Sequence, residues 1–275
     1  MGLRTLFVSD LDGTLLRGDA RISVNSRRII NRLTDGGLSF SYATARGWAT
    51  ANKAVDGLRG NTPVITKNGV LTVSPGTGGI LSKNLFTEEE ARDIYRILRR
   101  EEIYPIVSSY QKGKEKFSYN KHTLSPGGRW YVENHPNDER NNPLSTDDAI
   151  LSGEVFYFAC IGTRELLDGP YEAIRDKYLC VYSKDTYNDR MWLEIMPERA
   201  TKANAVEQLK ERMGFDYIVA FGDGVNDIPM FAIADECYAV ENAVGELKEM
   251  ATDVIGTNEE DGVANWLKDN AGRYL

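Results

Sequence analysis

Residues 5–14 constrain the chain more than any other stretch. An apolar, β-branched run ends abruptly in Asp10 and Asp12, with Gly13 and Thr14 directly behind them. Aspartate is a poor strand residue, so this placement predicts a strand that empties into a site at its C-terminal edge. In open α/β sheets that edge is where ligands bind.

The segments that follow repeat the arrangement. Ser23 reads as the N-cap of a helix running to Leu33 and closed by Asp35-Gly36-Gly37. A second strand over residues 38–43 ends in Thr44-Ala45-Arg46-Gly47, a helix follows over 48–56, and a third strand over 63–66 ends in Lys67-Asn68-Gly69. This alternation predicts a parallel sheet built by crossover units, with all three strands meeting at one edge. The rhythm is then broken. A hairpin is expected over 70–82, a capping box at Thr87 and Glu90 opens a helix to Arg100, and strands are expected over 103–109 and 116–119. A long polar stretch over 126–148 precedes a strand over 154–161, a helix over 164–177 interrupted at Gly169-Pro170, and strands over 179–182 and 191–196. The first rhythm resumes at Arg199 with a helix closed by Gly214 and a strand over 217–221 that ends in Gly222-Asp223-Gly224-Val225-Asn226-Asp227. The expected architecture is therefore α/β: a Rossmann-like parallel-sheet core from residues 1–83 and 197–275, with an α+β domain inserted at 84–196.

Composition narrows the partners. The chain has 41 acidic and 33 basic residues, a net charge of −8, and no basic block, so neither nucleic acid nor an anionic membrane is expected to bind it. Apolar residues make up 41% of the chain, enough for a sizeable core. Cys160, Cys180 and Cys237 are scattered, and with only His122 and His135 available no zinc spacing exists; free buried thiols are expected. The N-terminus has no signal-peptide pattern and no apolar run could span a bilayer, so a cytoplasmic protein is expected.

Asp10, Asp12, Asp223 and Asp227 would all stand at strand exits on one edge. Two unit negative charges ~4 Å apart repel by about 4 kcal/mol at an effective dielectric of 20, so such a cluster needs a cation or a shared proton. Oxygen-only ligands point to a hard cation, Mg²⁺ ahead of Ca²⁺ or Mn²⁺, with Asp10 and Asp223 as direct ligands and Asp227 direct or through a water. Thr44 offers a hydroxyl and backbone N–H groups for a phosphate, Lys202 a charge near a helix start, and Arg46 and Asn226 further contacts. Taken singly, each has a plainer use: Asp-x-Asp-Gly occurs in turns and calcium loops, Thr44 and Asp223 can be caps, and Lys202 can be a solvated helix residue.

Taken together and in this order, the motifs resemble those of the haloacid dehalogenase superfamily phosphatases, in the Cof-type subgroup with a C2-type cap. Asp10-Leu11-Asp12-Gly13-Thr14 matches the first motif, Ala43-Thr44-Ala45-Arg46 the second, Lys202 the third and Gly222–Asp227 the fourth. Lys67-Asn68-Gly69 and the stretch 258–266 are also similar to the subgroup, whereas Ala203 and Glu241 stand where glycine is common among its members. The resemblance implies a Mg²⁺-dependent phosphatase acting on a small phosphorylated metabolite, a sugar phosphate or similar monoester. Asp10 would be the nucleophile that becomes an aspartyl phosphate. Asp12 would be the acid and base, its backbone carbonyl also on the metal, while Thr44 and Lys202 would hold the phosphoryl oxygens. The inserted domain would be the lid that selects the leaving group. Its aromatics Tyr104, Tyr110, Phe117, Trp130 and Trp192 are expected mostly in core packing, and Lys112, Lys114 and Lys116 on a solvated hairpin. A sugar-phosphate phosphomutase would use the same aspartates, and a non-catalytic Mg²⁺/phosphate sensor the same ligands.

Overall fold

The computed structural model describes residues 3–185 and 189–274. The chain divides into two compact units, Met1–Lys83 with Arg199–Leu275, and Asn84–Glu198.

In the first unit the chain runs β1 (Thr5–Ser9), α1 (Val24–Asp35), β2 (Ser39–Tyr42), α2 (Trp48–Ala54), β3 (Val64–Thr66), β4 (Leu71–Val73) and β5 (Ile80–Lys83). Every residue of β1 is buried, which explains its continuous apolar run: a parallel strand covered on both faces has no polar side to show. The Ser23 hydroxyl accepts from Ser26 N–H at 2.9 Å and starts α1 where its spacing predicts.

The second unit contributes α3 (Glu88–Arg100), β6 (Ile106–Gln111), β7 (Lys114–Asn120), α4 (Pro126–Asn134), β8 (Asn141–Leu144), β9 (Glu154–Gly162), α5 (Arg164–Ile174), β10 (Leu179–Lys184) and β11 (Met191–Met196). Its six-stranded sheet has the order β10-β11-β9-β6-β7-β8. Helices α3 and α5 cover one face through Ala91, Ile94, Leu98, Leu167 and Ile174. Tyr131 and Val132 of α4 pack on the other, against Phe117, Tyr119 and Ile161. The Thr87–Glu90 capping box is present, with reciprocal bonds of 3.2 and 2.6 Å. Phe117 is buried, while Tyr104 and Trp130 lie under the guanidinium groups of Arg99 and Arg190 at 3.8 and 4.4 Å.

The chain then returns to the first unit as α6 (Lys202–Met213), β12 (Tyr217–Gly222), α7 (Ile228–Ile233), β13 (Glu236–Val240), α8 (Gly245–Met250), β14 (Asp253–Ile255) and α9 (Gly262–Asn270). Five strands form a parallel sheet in the order β14-β13-β12-β1-β2. The chain leaves β1 toward β2 on one side, and the later strands add on the other through β12. The topological switch point, the natural crevice of such a sheet, is therefore where Asp10 and Asp223 emerge.

Three local expectations need correction. β3 belongs to a separate antiparallel sheet with β4 and β5, and touches the end of β2 through a single bridge, Ala43 to Ile65. β4 takes one edge of β3, and on the other only Ile65 meets the chain past β2, its carbonyl accepting from Thr44 N–H at 3.0 Å. The polar stretch 126–148 holds α4 and β8, started by Ser125, whose hydroxyl accepts from Gly128 N–H at 3.0 Å, and by Pro126 at the first helical position. Helix α5 runs through Gly169-Pro170, because Leu167, Pro170 and Ile174 share one buried face that offsets the lost backbone bond. Among the described residues, no helix is long and apolar enough to cross a membrane.

Candidate active site

Asp10 extends the β1–β12 ladder by one rung, its N–H donating to Phe221 O at 2.9 Å, so its side chain leaves the sheet at the switch point. Thr14, Leu15 and Leu16 then all donate backbone N–H groups to Leu11 O, at 3.3, 3.0 and 2.8 Å, which folds the chain into a tight loop. Gly13 sits in that loop at φ +78°, and a β-carbon there would lie 2.3 Å from Asp223 Oδ2. Only glycine lets the loop approach the Asp223 carboxylate this closely. Thr14 completes the contact, its hydroxyl donating to Asp223 Oδ1 at 2.7 Å.

From the exit of β12, Asp227 folds back on its own turn. Its Oδ2 accepts from Asp223 N–H at 3.1 Å and Gly224 N–H at 3.0 Å. Its Oδ1 accepts from Lys202 Nζ at 2.7 Å, and the same ammonium donates to Asp10 Oδ1 at 2.5 Å. Lys202 opens α6, whose N-cap Thr201 accepts from Asn204 N–H at 3.1 Å, so the lysine starts from the helix end nearest the strand exits. Asp10, Asp227 and Lys202 are all buried. Carboxylate oxygens of Asp10, Asp223 and Asp227 lie within 4.8 Å of one another.

One ammonium thus faces three carboxylates. Burial pushes the Asp10 carboxyl up to about 7, Lys202 opposing and Asp227 adding to the rise. Asp223 is raised too, by burial first, against the bond from Thr14. Burial works against the Lys202 charge, but Asp10 and Asp227 outweigh it and hold the ammonium above its ordinary range. Three carboxylates, two of them raised, beside one ammonium that bonds two of them mark a site short of positive charge. An all-oxygen donor set with this deficit fits a hard metal ion.

Asp12 is not among the carboxylates of that 4.8 Å cluster. It is half-exposed, and Arg46 grips both of its oxygens: Nε donates to Oδ2 at 2.7 Å and Nη2 to Oδ1. Thr44 is buried at the end of β2; its N–H donates to Ile65 O at 3.0 Å and its hydroxyl accepts from Arg46 N–H at 3.1 Å. Asn68 N–H donates to Thr44 O at 2.9 Å. The next residue, Gly69, at φ +103°, lies so close to Thr201 that a β-carbon would fall 2.1 Å from its carbonyl oxygen. This turn joins the exit of β2 to the start of α6. The structure therefore gathers Asp10, Asp223, Asp227 and Lys202, and pairs Arg46 with Asp12. Asn226 is exposed in the turn 225–227, outside the bonded cluster.

Sequence reasoning gave no role to Thr14, Asn242 or Asn258. Asn242 donates to Gly13 O at 2.7 Å and Asn258 to Leu16 O at 2.9 Å. The available signal was position: Asn242 stands just past β13, on the same sheet edge as Asp10 and Asp223.

Residues 7–267 match the family of haloacid dehalogenase-like hydrolases. Among similar proteins are two from Bacillus subtilis named 5-amino-6-(5-phospho-D-ribitylamino)uracil phosphatase. YwtE is 28% identical, with 94% of this chain and 95% of the relative aligned, and YitU is 28% identical, with 96% of each aligned. A crystal structure of TM0651 from Thermotoga maritima superposes with a TM-score of 0.77 at 28% identity, covering 97% of each chain.

Proposed function

The chain belongs to the haloacid dehalogenase-like hydrolase family and is a phosphoric monoester hydrolase, and we propose that it works with Mg²⁺ through an aspartyl phosphate on Asp10. The observation that carries this reading is the buried cluster of Asp10, Asp223 and Asp227, whose carboxylate oxygens lie within 4.8 Å of one another around a single lysine. Asp10, Asp223 and Asp227 would hold the ion, with the Asp12 backbone carbonyl as a further ligand. When bound, the ion supplies the missing positive charge and lets an anionic phosphate approach an anionic nucleophile.

The reaction assigned to these residues has two steps. An oxygen of Asp10 bonds to phosphorus as the ester P–O bond breaks, and the carboxylic proton of Asp12 passes to the departing oxygen. Water then attacks the aspartyl phosphate while Asp12 takes back a proton, releasing inorganic phosphate and restoring the Asp10 carboxylate. Thr44 and Lys202 would stabilise the phosphoryl oxygens, where charge spreads during transfer, with Arg46 and Asn226 at the edge of the cradle. Its grip on the Asp12 carboxylate also fits Arg46 to orient the proton carrier. The inserted unit, taken as the cap over residues 84–196, is assigned the choice of leaving group.

The names of the two Bacillus relatives make 5-amino-6-(5-phospho-D-ribitylamino)uracil the first substrate to test, followed by simple sugar phosphates. The test is phosphate release from such a panel with Mg²⁺, with EDTA, and with Asp10→Asn. Turnover that needs both the ion and Asp10 supports the reading, and metal-independent turnover or an active Asp10→Asn protein overturns it.

A further inference from the structure

We infer that Asn242 is a positioning residue for the loop that carries Asp12, an inference that rests on the reading of Asp12 as proton carrier. Beyond the bonds to Leu11 O, residues 13–18 are tied locally by Arg17 N–H to Arg21 O at 3.1 Å, Ala20 N–H to Arg17 O at 2.8 Å, and bridges from Leu16 to Asp12 and Ile22. Side chains from the C-terminal segment hold them at four points: Asn242 Nδ2 donates to Gly13 O at 2.7 Å, Asn258 Nδ2 donates to Leu16 O at 2.9 Å, Arg17 pairs with Asp261 at 2.9 Å, and Glu259 Oε1 accepts from Gly18 N–H at 2.6 Å. The two asparagines are themselves joined, with Asn258 N–H donating to Asn242 Oδ1 at 3.0 Å. Asp261, buried at φ +60°, also accepts from Asn25 at 3.0 Å and ties this strap to α1.

The strap matters most at Gly13. Glycine has almost no preference between right- and left-handed backbone, so the direction of its carbonyl rests on the bonds made by its peptide, Thr14 N–H to Leu11 O at 3.3 Å and the Gly13 carbonyl to Asn242. Asn242 imposes it on one side, and the Thr14 hydroxyl, bonded to Asp223, fixes the other end of the same peptide. Asp12 is the preceding residue and is half-exposed, so no core packing sets its direction. Its backbone inherits the direction of Gly13, and its carboxylate is then oriented by Arg46. Loss of the Gly13 bond should misplace the proton donor while leaving the buried Asp10–Lys202–Asp227 group intact.

Asn242 is exposed, so substitution spares the core. Asn242→Asp keeps the oxygen that accepts from Asn258 and replaces the donor to Gly13 with a second oxygen. Two substrates separate positioning from general damage at saturating Mg²⁺: p-nitrophenyl phosphate, whose leaving group departs without a proton, and glycerol phosphate, whose alkoxide requires one. In Asn242→Asp, the single-turnover rate of leaving-group release, which precedes the hydrolysis step that also uses Asp12, should fall roughly tenfold or more for glycerol phosphate, against less than about threefold for the aryl ester, with both KM values for that release within about twofold. Asn258→Ala should show the same pattern more weakly. Equal losses on the two esters, a loss confined to KM, or no loss overturns the inference. Asp12→Asn tells two failures apart. A leaving-group-dependent loss there beside an even loss in Asn242→Asp removes the strap alone, and an even loss in both removes the role of Asp12 and the strap with it.

Discussion

The ammonium of Lys202 bonds Asp10 Oδ1 at 2.5 Å, with both side chains almost wholly withdrawn from water. The same nitrogen serves Asp227 at 2.7 Å, so one residue from the start of α6 neutralises groups from the ends of β1 and β12. A buried pair of this kind is a weak source of net stability, but removing one partner strands the other charges.

Lys202→Met should therefore unfold the metal-free protein more easily by about 3–5 kcal/mol, read from chemical denaturation. Saturating Mg²⁺ should return part of that loss, because the ion supplies charge to the same carboxylates. A metal-free variant as stable as wild type would contradict this.

The pH dependence follows from Asp10, whose carboxyl is pushed up to about 7 by burial against an ordinary value of 3.8. Between those values the folded protein holds a proton that the unfolded chain releases, so the contribution is present at low pH and is lost as pH rises through about 7. Asn resembles the protonated acid. Metal-free Asp10→Asn should unfold with wild type near pH ~3.5 and be the more stable of the two near pH ~8, by at most about 4 kcal/mol. Denaturation curves at both pH values check this, and a wild type that is the more stable at the higher pH would contradict it.

Arg46→Lys keeps the charge but loses the two-pronged grip on Asp12. Both groups are partly exposed, so stability should change by less than about 1 kcal/mol. If Arg46 acts through Asp12, kcat falls roughly tenfold with little change in KM. A loss carried by KM would instead favour direct contact with the substrate phosphate.

Gly69 and Gly76 form a matched pair. Both have positive φ, but a β-carbon at Gly69 meets the Thr201 carbonyl at 2.1 Å, and one at Gly76 meets nothing within 4 Å. Alanine at position 76 should cost only the backbone strain, about 1 kcal/mol, whereas alanine at 69 must also displace the start of α6 and should cost several times that. Equal thermal shifts in the two variants would show that the Gly69 contact relaxes freely.

The course of β1 and β12 was legible because strands buried on both faces are written as unbroken apolar runs, and the acidic residues after them break the pattern sharply. The pairing of β3 was not. Three residues carry no register information, and their partner depends on the turn at Lys67 and Asn68, both at positive φ, a conformation their side chains do not advertise. The cation at position 46 was visible, but a guanidinium suits a phosphate and a carboxylate equally well, so its bond to Asp12, 34 positions away, had to come from the fold. Lys202 was read for its charge near a helix start; its burial between two aspartates follows from where α6 meets the sheet. Asn242, and the partner of Asn258 within the stretch 258–266, were hidden for a simpler reason. A lone asparagine beyond a strand serves as an ordinary turn residue as readily as it straps a distant loop.

Covalent capture bears most directly on Asp10. Wild-type protein mixed with a ³²P-labelled substrate and Mg²⁺, quenched in acid within a turnover and digested, should carry label on the peptide containing Asp10, and Asp10→Asn should carry none and release no phosphate. Label on another residue, or phosphate release from Asp10→Asn at the wild-type rate, would contradict the account.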